Sequence, residues 1–193
     1  MPRSNLSSDV VISAAATLAD RTGFDAVTVA AVARHLGVQP ASLYEHVKSR
    51  DALLDAVHRL ALGELASRVS EELAGRSGKA ALQGLVDAYR NFATQRPGAW
   101  AALQRVASPD TARSPEAAGV AALMLAVIRG YPVPEPALVH AARLVAATVR
   151  GYLILSESEV FNHRPDGQDE SWLAAVDALD RALSTWPSEG TPS

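Results

Sequence analysis

Cysteine is absent from this 193-residue chain. Its absence excludes disulfides, thiolate catalysis and zinc sites with cysteine ligands, and it fits a reducing compartment. Long hydrophobic runs are missing too: the longest uncharged apolar segment, residues 117–128, is well short of the roughly 20 residues that span a bilayer. Polar residues follow Arg3, so no secretory signal is visible. We therefore expect a cytoplasmic protein with no membrane partner.

The motifs of metal and phosphate chemistry are also lacking. The five histidines include no pair four residues apart and no HExxH spacing, so a helical metal site has no support. The sequence contains no glycine-rich phosphate loop and no GxSxG nucleophile motif. These absences weigh against a small helical enzyme, and we expect no catalysis, no cofactor and no metal.

What the chain does contain is helical periodicity. With 48% hydrophobic residues and a net charge of -3, it is typical of a folded globular protein. Apolar residues recur with a helical period in almost every segment, and no segment alternates cleanly like a strand. We expect loops at residues 107–115 and 159–170 and a disordered tail at 187–193. The fold class is all-α with about nine helices, at approximately 8–22, 28–36, 39–47, 50–73, 79–95, around Trp100 and Leu103, 116–130, 136–157 and up to 185.

Two of these helices form a candidate DNA-reading unit. Residues 28–35 and 39–46 are joined through Leu-Gly-Val at 36–38, and a short glycine-containing turn between two helices is typical of a helix-turn-helix. Such a unit places its second helix in the major groove. The inward positions Leu36, Val38, Leu43 and Val47 would pack the unit, which leaves small and polar residues facing outward. Geometry alone leaves open an ordinary helix pair.

This stretch resembles the DNA-binding head of the TetR family of bacterial transcriptional regulators. The matching residues are Thr-Val-Ala-Ala-Val-Ala-Arg-His-Leu-Gly-Val at 28–38 and Ala-Ser-Leu-Tyr-Glu-His-Val-Lys-Ser-Arg-Asp-Ala-Leu-Leu-Asp-Ala at 41–56. The resemblance covers about residues 8–60 and matches many positions in order. It implies an N-terminal three-helix head and a C-terminal helical body for ligand binding and dimerisation.

The resemblance also implies roles for residues of the head. Thr28 would cap the second helix near a phosphate, while Gln39, Ala41 and Ser42 would meet base edges or adjacent phosphates. The full set of expected DNA-binding residues is Thr28, Gln39, Pro40, Ala41, Ser42, Tyr44, Glu45, His46 and Lys48. For His46, a backbone contact and packing on the fourth helix both remain open.

Two positions depart from the family pattern. Ala30 stands where many relatives have a basic residue, which removes one phosphate contact and predicts a shallower salt dependence. Glu45 stands where an aromatic or basic residue is common. An acid near DNA is unfavourable unless it accepts from a cytosine amino group, so Glu45 either reads a base or is turned aside.

The body offers a candidate dimer surface and a candidate ligand pocket. A head with few positive charges binds a half-site weakly, so we expect a homodimer on a palindromic double-stranded operator. Apolar stripes on the last two helices predict the interface, although both stripes would also suit an intramolecular core: Leu144, Gly151, Leu155, Trp172, Val176, Leu179 and Leu183. Residues of the middle helices predict a pocket for a small-molecule effector, although each would also suit plain core: Tyr89, Phe92, Trp100, Leu103, Met124, Ile128, Arg143, Thr148 and Tyr152.

Together these features predict a dimeric repressor that a small molecule releases from its operator. The expected domains are a helix-turn-helix domain at 1–48 and a ligand-binding and dimerisation domain at 49–186, followed by the tail at 187–193. The remaining alternative is a helical ligand carrier or interaction module without DNA binding, which only Ala30 and Glu45 suggest.

Overall fold

The computed structural model describes residues 6–163 and 167–187, and within these ranges all regular structure is helical. The α-helices of the described residues are α1 (Ser8–Thr22), α2 (Val29–Leu36), α3 (Pro40–Leu43), α4 (Arg50–Leu73), α5 (Gly78–Gln95), α6 (Pro97–Gln104), α7 (Pro109–Ala112), α8 (Pro115–Ile128), α9 (Leu138–Glu157) and α10 (Gln168–Ser184). The all-α prediction is confirmed.

Short polar caps and glycines decide where the first helices begin and end. The Ser7 hydroxyl accepts from the N–H of Val10 at 3.3 Å and so caps α1. Gly23, with φ of 87°, ends the same helix in a conformation that other residues avoid. At α4 the Ser49 hydroxyl accepts from the N–H of Ala52 at 3.1 Å. Because these caps are local, the bounds of α1 and α4 match the sequence prediction.

Three segments differ from the prediction. The third helix is much shorter than expected, since only Pro40–Leu43 is α-helical. The predicted loop at 107–115 contains α7, which begins where the Ser108 hydroxyl accepts from the N–H of Thr111 at 3.2 Å. The predicted loop at 159–170 contains the 3₁₀ turn Val160–His163, and α10 already begins at Gln168. The predicted tail lies outside the described residues from position 188 onward.

The chain divides into two compact units. The N-terminal unit comprises the described residues up to Ser67 together with Phe92–Val120. Its core includes the fully buried side chains of Val11, Leu43, Leu53, Phe92 and Trp100. It holds the whole predicted reading unit.

The C-terminal unit comprises Arg68–Asn91 together with the described residues from Ala121 onward. Its core includes Leu82, Leu85, Ile128 and Leu183. One stretch of this unit, Glu135–Glu157, is long and apolar enough to cross a membrane by length and composition, with a mean hydropathy of 1.4. Only 28% of its most apolar window is buried, so this helix presents apolar surface that the unit does not cover.

Candidate nucleic-acid interface

A left-handed glycine sets the angle between α2 and α3. Gly37 ends α2 with φ of 69° and ψ of 28°, a region that side-chain-bearing residues enter at a cost. The next N–H, that of Val38, donates to the Ala33 carbonyl at 3.0 Å. This pattern closes the end of α2 and redirects the chain into α3.

Thr28 fixes the start of α2. Its backbone is extended and its hydroxyl accepts from the N–H of Ala31 at 3.1 Å, as in a typical N-cap. Thr28 is exposed, so this N-cap lies at the surface. A helix N-terminus with this exposure suits an anion such as a DNA phosphate.

The predicted reading helix is one α-helical turn followed by tighter turns. Pro40 occupies the first helical position, where a missing N–H is tolerated. Past Leu43 the Tyr44 N–H donates to the Ala41 carbonyl and the His46 N–H to that of Leu43. Each of these bonds joins residues three apart, as in a 3₁₀ turn and not as in an α-helix. The α-helix therefore ends at Leu43, earlier than the sequence predicted.

Burial separates the two faces of this segment sharply. Leu43 is 0% exposed and Val47 5%, whereas Tyr44 is 56% exposed. Eight of the nine sequence-predicted contact residues are exposed, and His46 is half-buried. The eight are Thr28, Gln39, Pro40, Ala41, Ser42, Tyr44, Glu45 and Lys48.

The two departures from the family pattern both lie on the surface. Ala30 is exposed in the first turn of α2, and Glu45 is exposed beside Tyr44. The exposed arginines and lysines of the reading unit and its borders are Arg21, Arg34, Lys48 and Arg50. Glu45 is therefore available to a ligand of this face and is not turned into the core.

Arg50 is a structural residue that the sequence reasoning missed. Its Nε donates to the Val27 carbonyl at 2.8 Å and its Nη2 to the Asp25 carbonyl at 3.0 Å. Both acceptors lie just before α2, so Arg50 ties the start of α4 to the reading unit. A cation in the first turn of a helix interacts unfavourably with the helix dipole. The unusual position of Arg50 in the sequence could therefore have indicated that it has a structural role.

The pocket candidates fall into both units. In the N-terminal unit, Phe92, Trp100 and Leu103 are buried; in the C-terminal unit, Tyr89, Met124 and Ile128 are buried. Burial also raises the pKa of Tyr89. This burial fits both plain core and a closed pocket, so the pocket stays a prediction for these six.

The polar pocket candidates behave differently from the apolar ones. Arg143 is exposed, on the side of α9 away from the buried Ala141 and Val145, and its place in the pocket stays a prediction. Thr148 is half-buried and its hydroxyl donates to the Leu144 carbonyl at 2.9 Å. Tyr152 is half-buried and donates to the Gln168 carbonyl at 2.7 Å.

The predicted dimer interface on α10 stays a prediction. Four of its residues are buried inside their own unit, where they pack as core: Trp172, Val176, Leu179 and Leu183. The Trp172 indole N–H donates to the Asp87 carboxylate at 3.2 Å, and the Arg90 guanidinium lies over the indole ring. Within the single chain, the apolar stripe of α10 therefore packs against the C-terminal unit.

The rest of the predicted interface lies on α9 and is accessible. Leu144 and Leu155 are exposed, at 39% and 41%, and Ile154 joins them. Gly151 is half-buried, and a Cβ added to it would meet nothing within 4 Å. On α10 the exposed large apolar residue is Leu173, at 54%.

Metal ligands are not gathered in the part of the chain that the structure describes. No group of three or more histidine, aspartate or glutamate side chains is placed there to hold an ion.

The geometry of the N-terminal unit is that of a reading unit, with exposed small and polar residues on a short helix.

Comparison with known proteins identifies the two parts of the chain separately. Residues 11–57 match the family model described as "Bacterial regulatory proteins, tetR family". Residues 82–179, about half of the chain, match "Tetracyclin repressor-like, C-terminal domain". An uncharacterized HTH-type transcriptional regulator of Bacillus subtilis, YobS, is 29% identical over 166 residues, 86% of each chain. The class D tetracycline repressor of Escherichia coli is 44% identical over 52 residues, 27% of this chain and 24% of its own.

Solved structures share the whole fold. TetR from Acinetobacter baumannii AYE aligns with a TM-score of 0.70 at 23% identity, covering 96% of this chain and 100% of its own. A variant of that protein in complex with minocycline aligns with a TM-score of 0.74 at 24% identity, with the same coverage. At these identities the likeness shows the fold alone, whereas the family models span both parts of the chain. The chain therefore belongs to the TetR family of helix-turn-helix, DNA-binding transcriptional regulators.

Proposed function

We propose that this regulator is a dimeric repressor that binds a palindromic operator and is released from it by a small molecule. The observation that carries the proposal is the exposed face of α3 and the turn after it. Small side chains cover α3 and Tyr44 stands out beside them, while Leu43 is fully buried. Together, the small side chains and the exposed Tyr44 provide a surface that can approach base edges closely and bond the backbone beside them.

Each residue of this face has a role that its chemistry suits. Gln39, Ala41 and Ser42 lie at the start of α3, and the small ones allow the helix to approach base edges closely. Tyr44 and Lys48 would contact the phosphate backbone at the margins of the groove. Thr28 would hold a phosphate at the N-terminus of α2. Pro40 and His46 would shape the two ends of this surface.

Glu45 is proposed as a specificity element. It is exposed next to Tyr44 in the chain, where a phosphate would repel it. A carboxylate in the major groove accepts favourably from the amino group of cytosine. We therefore expect a cytosine in each half-site, and we expect Glu45→Gln to relax the preference for it.

The proposed dimer surface is the exposed apolar face of α9 with Leu173 of α10. Leu144, Ile154 and Leu155 are accessible on α9, and Gly151 leaves room for a second helix to approach. Paired helices of this kind form a four-helix bundle between two copies. Such a contact accounts for the apolar surface of Glu135–Glu157 without a membrane, and the arginines Arg143 and Arg150 within that helix favour this explanation. The protein would then work in the cytoplasm, where the operator is.

A pocket for the effector is proposed around the buried aromatic residues of the middle helices. A neighbouring structure was solved with minocycline bound, which supports a small-molecule ligand for this fold but not its identity here. Tyr89 in the C-terminal unit and Trp100 in the N-terminal unit are each proposed to respond to the effector within their own unit. Substituting either should change the response to the effector while operator binding persists.

The proposed domain division follows from these roles. Residues 1–48 would read DNA, and residues 49–186 would bind the effector and dimerise. A helical carrier without DNA binding remains the second candidate, supported by the exposed Ala30 and Glu45 where basic residues would help.

In vitro selection of random duplexes near physiological salt separates these two functions. The purified chain should enrich a palindrome, and Tyr44→Ala should lose the enrichment because it removes the exposed aromatic group without touching the buried Leu43. A folded, dimeric wild-type chain that enriches no sequence contradicts the repressor proposal and favours the carrier. Asp110→Asn serves as a control for the handling of a substituted protein, since the Asp110 side chain is 90% exposed and lies outside both the reading unit and the proposed dimer surface.

A further inference from the structure

The carboxylate of Asp20 fixes the start of α6 to the end of α1. Its Oδ1 accepts from the backbone N–H groups of Gly98 at 2.8 Å and Ala99 at 3.1 Å. Its Oδ2 accepts from Nε of Arg96 at 2.6 Å. The first N–H groups of a helix have no partners within the helix, so an acid at this place satisfies them and faces the positive end of the dipole.

Arg96 extends the same cluster to α4. Its Nη1 donates to Glu64 Oε2 at 2.5 Å. The side chains of the three charged residues are only 18–28% exposed. Burial alone would lower the pKa of Arg96, but the hydrogen bonds and charges of Asp20 and Glu64 outweigh burial and raise it. The guanidinium therefore stays charged between two acids on two different helices.

Gly98 lets the backbones of α1 and α6 touch. A Cβ added to Gly98 would lie closer than 3.0 Å to backbone atoms of Ala19 and Asp20. Because backbone atoms cannot swing aside as a side chain does, any larger residue must push α6 away from α1. Gly63 of α4 differs, since a Cβ there would have the flexible Glu116 side chain as its nearest neighbour, at 3.7 Å.

The other end of α6 is fixed to the start of α4. Arg105, which follows the last residue of α6, donates through Nη1 to Asp55 at 2.7 Å and through Nη2 to Asp51 at 3.4 Å. These acids lie in the first two turns of α4, next to Arg50, which holds the carbonyls before α2. Thus α6 is bonded to α1 at one end and to α4 at the other. Both of these helices adjoin the reading unit.

We propose that Asp20, Glu64, Arg96 and Gly98, here named the α1–α6 joint, are positioning residues that set the operator spacing this regulator accepts. The joint holds α1, and with it the α2–α3 pair, in one orientation on α6. It makes no contact with DNA in this account. The inference rests on the proposed function, because only a dimer that binds two half-sites at once has a spacing to select.

The geometry of DNA makes spacing a sensitive readout. Adding one base pair between half-sites moves one of them by about 3.4 Å along the axis and rotates it by about 34–36°, since a turn holds 10–10.5 base pairs. A head held rigidly cannot follow that change, whereas a loosened head can. Loss of the joint should therefore broaden the accepted spacings while the bases read in each half-site stay the same.

The test uses the full chain and duplexes that carry the selected palindrome with up to three base pairs added to or removed from its centre. Affinities are measured by fluorescence anisotropy for two variants of the joint, Gly98→Ala and Asp20→Asn. Their matched controls are Gly63→Ala, a helical glycine with room for a Cβ, and Asp110→Asn, whose pair with Arg113 is 90% and 74% exposed. If Gly98→Ala does not fold, the test rests on Asp20→Asn. This substitution keeps the shape of the side chain and an oxygen that can accept from the N–H of Gly98.

We expect the wild type and both controls to prefer one spacing over its neighbours by about tenfold or more, the scale of one mismatched base pair. The joint variants should prefer it by about threefold or less, with an unchanged half-site sequence in a repeated selection. A joint variant that keeps the wild-type preference overturns the inference, as does one that weakens binding to every spacing by the same factor. A folded wild type that selects no duplex overturns the proposed function and the inference together.

Discussion

Leu183→Ala tests whether α10 packs as core of its own chain, as the structure has it, or as a subunit surface. Leu183 is 0% exposed, and the substitution removes three carbon atoms. At about 0.8 kcal/mol for each buried CH₂ group, the transfer cost is about 2.4 kcal/mol. The unfilled cavity raises the total into the range of about 2–5 kcal/mol measured for buried leucines.

The matched control is Leu173→Ala on the same helix, where the side chain is 54% exposed. In a folded domain of this size, about 3 kcal/mol lowers the melting temperature by about 6–12 °C. Thermal unfolding should show that loss for Leu183→Ala at equal protein concentration, since the stability of a dimer depends on concentration. Leu173→Ala should instead weaken dimerisation in sedimentation equilibrium and leave the folded protomer intact.

The opposite pattern would refute this reasoning. If Leu183→Ala dissociated the dimer without lowering the melting temperature, α10 would be a subunit surface. Leu183 would then not belong to the core of its own chain. If Leu173→Ala left the dimer unchanged, the proposed dimer face would be confined to α9.

Two further predictions concern the turn of the reading unit and a buried tyrosine. Gly37→Ala places a side chain at φ of 69° and should lower the free energy of unfolding by about 1–2 kcal/mol, which a lower denaturation midpoint in urea would show. The control Gly63→Ala should be neutral or stabilising. Equal midpoints for the two variants would contradict the turn geometry. Tyr131 donates to Asp180 at 2.8 Å, and its burial, with the hydrogen bond and charge of Asp180, raises the pKa of its phenol. Since a raised pKa in the folded state favours the protonated form, the free energy of unfolding should fall as pH rises above about 10, the ordinary pKa of tyrosine. Tyr131→Phe should be less stable near neutral pH and should show a smaller alkaline decline, because only the share from buried tyrosines such as Tyr89 remains. An unchanged decline in urea titrations at pH 9 to 11 would contradict the assignment.

The helix bounds that the sequence predicted well are those with local causes. Ser7 and Gly23 bound α1, and Ser49 starts α4, through hydrogen bonds and backbone preferences within a few residues. The length of α3 was overestimated because the apolar spacing of Leu43 and Val47 suits both an α-helix and the tighter turns that follow it. Periodicity does not distinguish these two hydrogen-bond patterns.

The contacts that the sequence did not predict are those with partners distant in the chain. Trp172 and Leu183 form an apolar stripe, but a stripe does not reveal whether its partner is the same chain or a second copy. Arg96 meets Asp20 across 76 positions of sequence, and no spacing rule relates residues that far apart. By contrast, the reading unit was predictable because its turn, cap and outward residues all lie within about twenty positions.

The central claim is that the exposed face of α3 reads a specific duplex as part of a dimer. An anisotropy titration at fixed, near-physiological salt compares the enriched palindrome with a duplex of the same composition in permuted order, and sedimentation gives the number of chains on each duplex. We predict that two chains bind the palindrome at least about 10³-fold more tightly than the permuted duplex, the lower end for specific regulators. Equal affinity for the two duplexes, or tight binding by a single chain, would contradict the account.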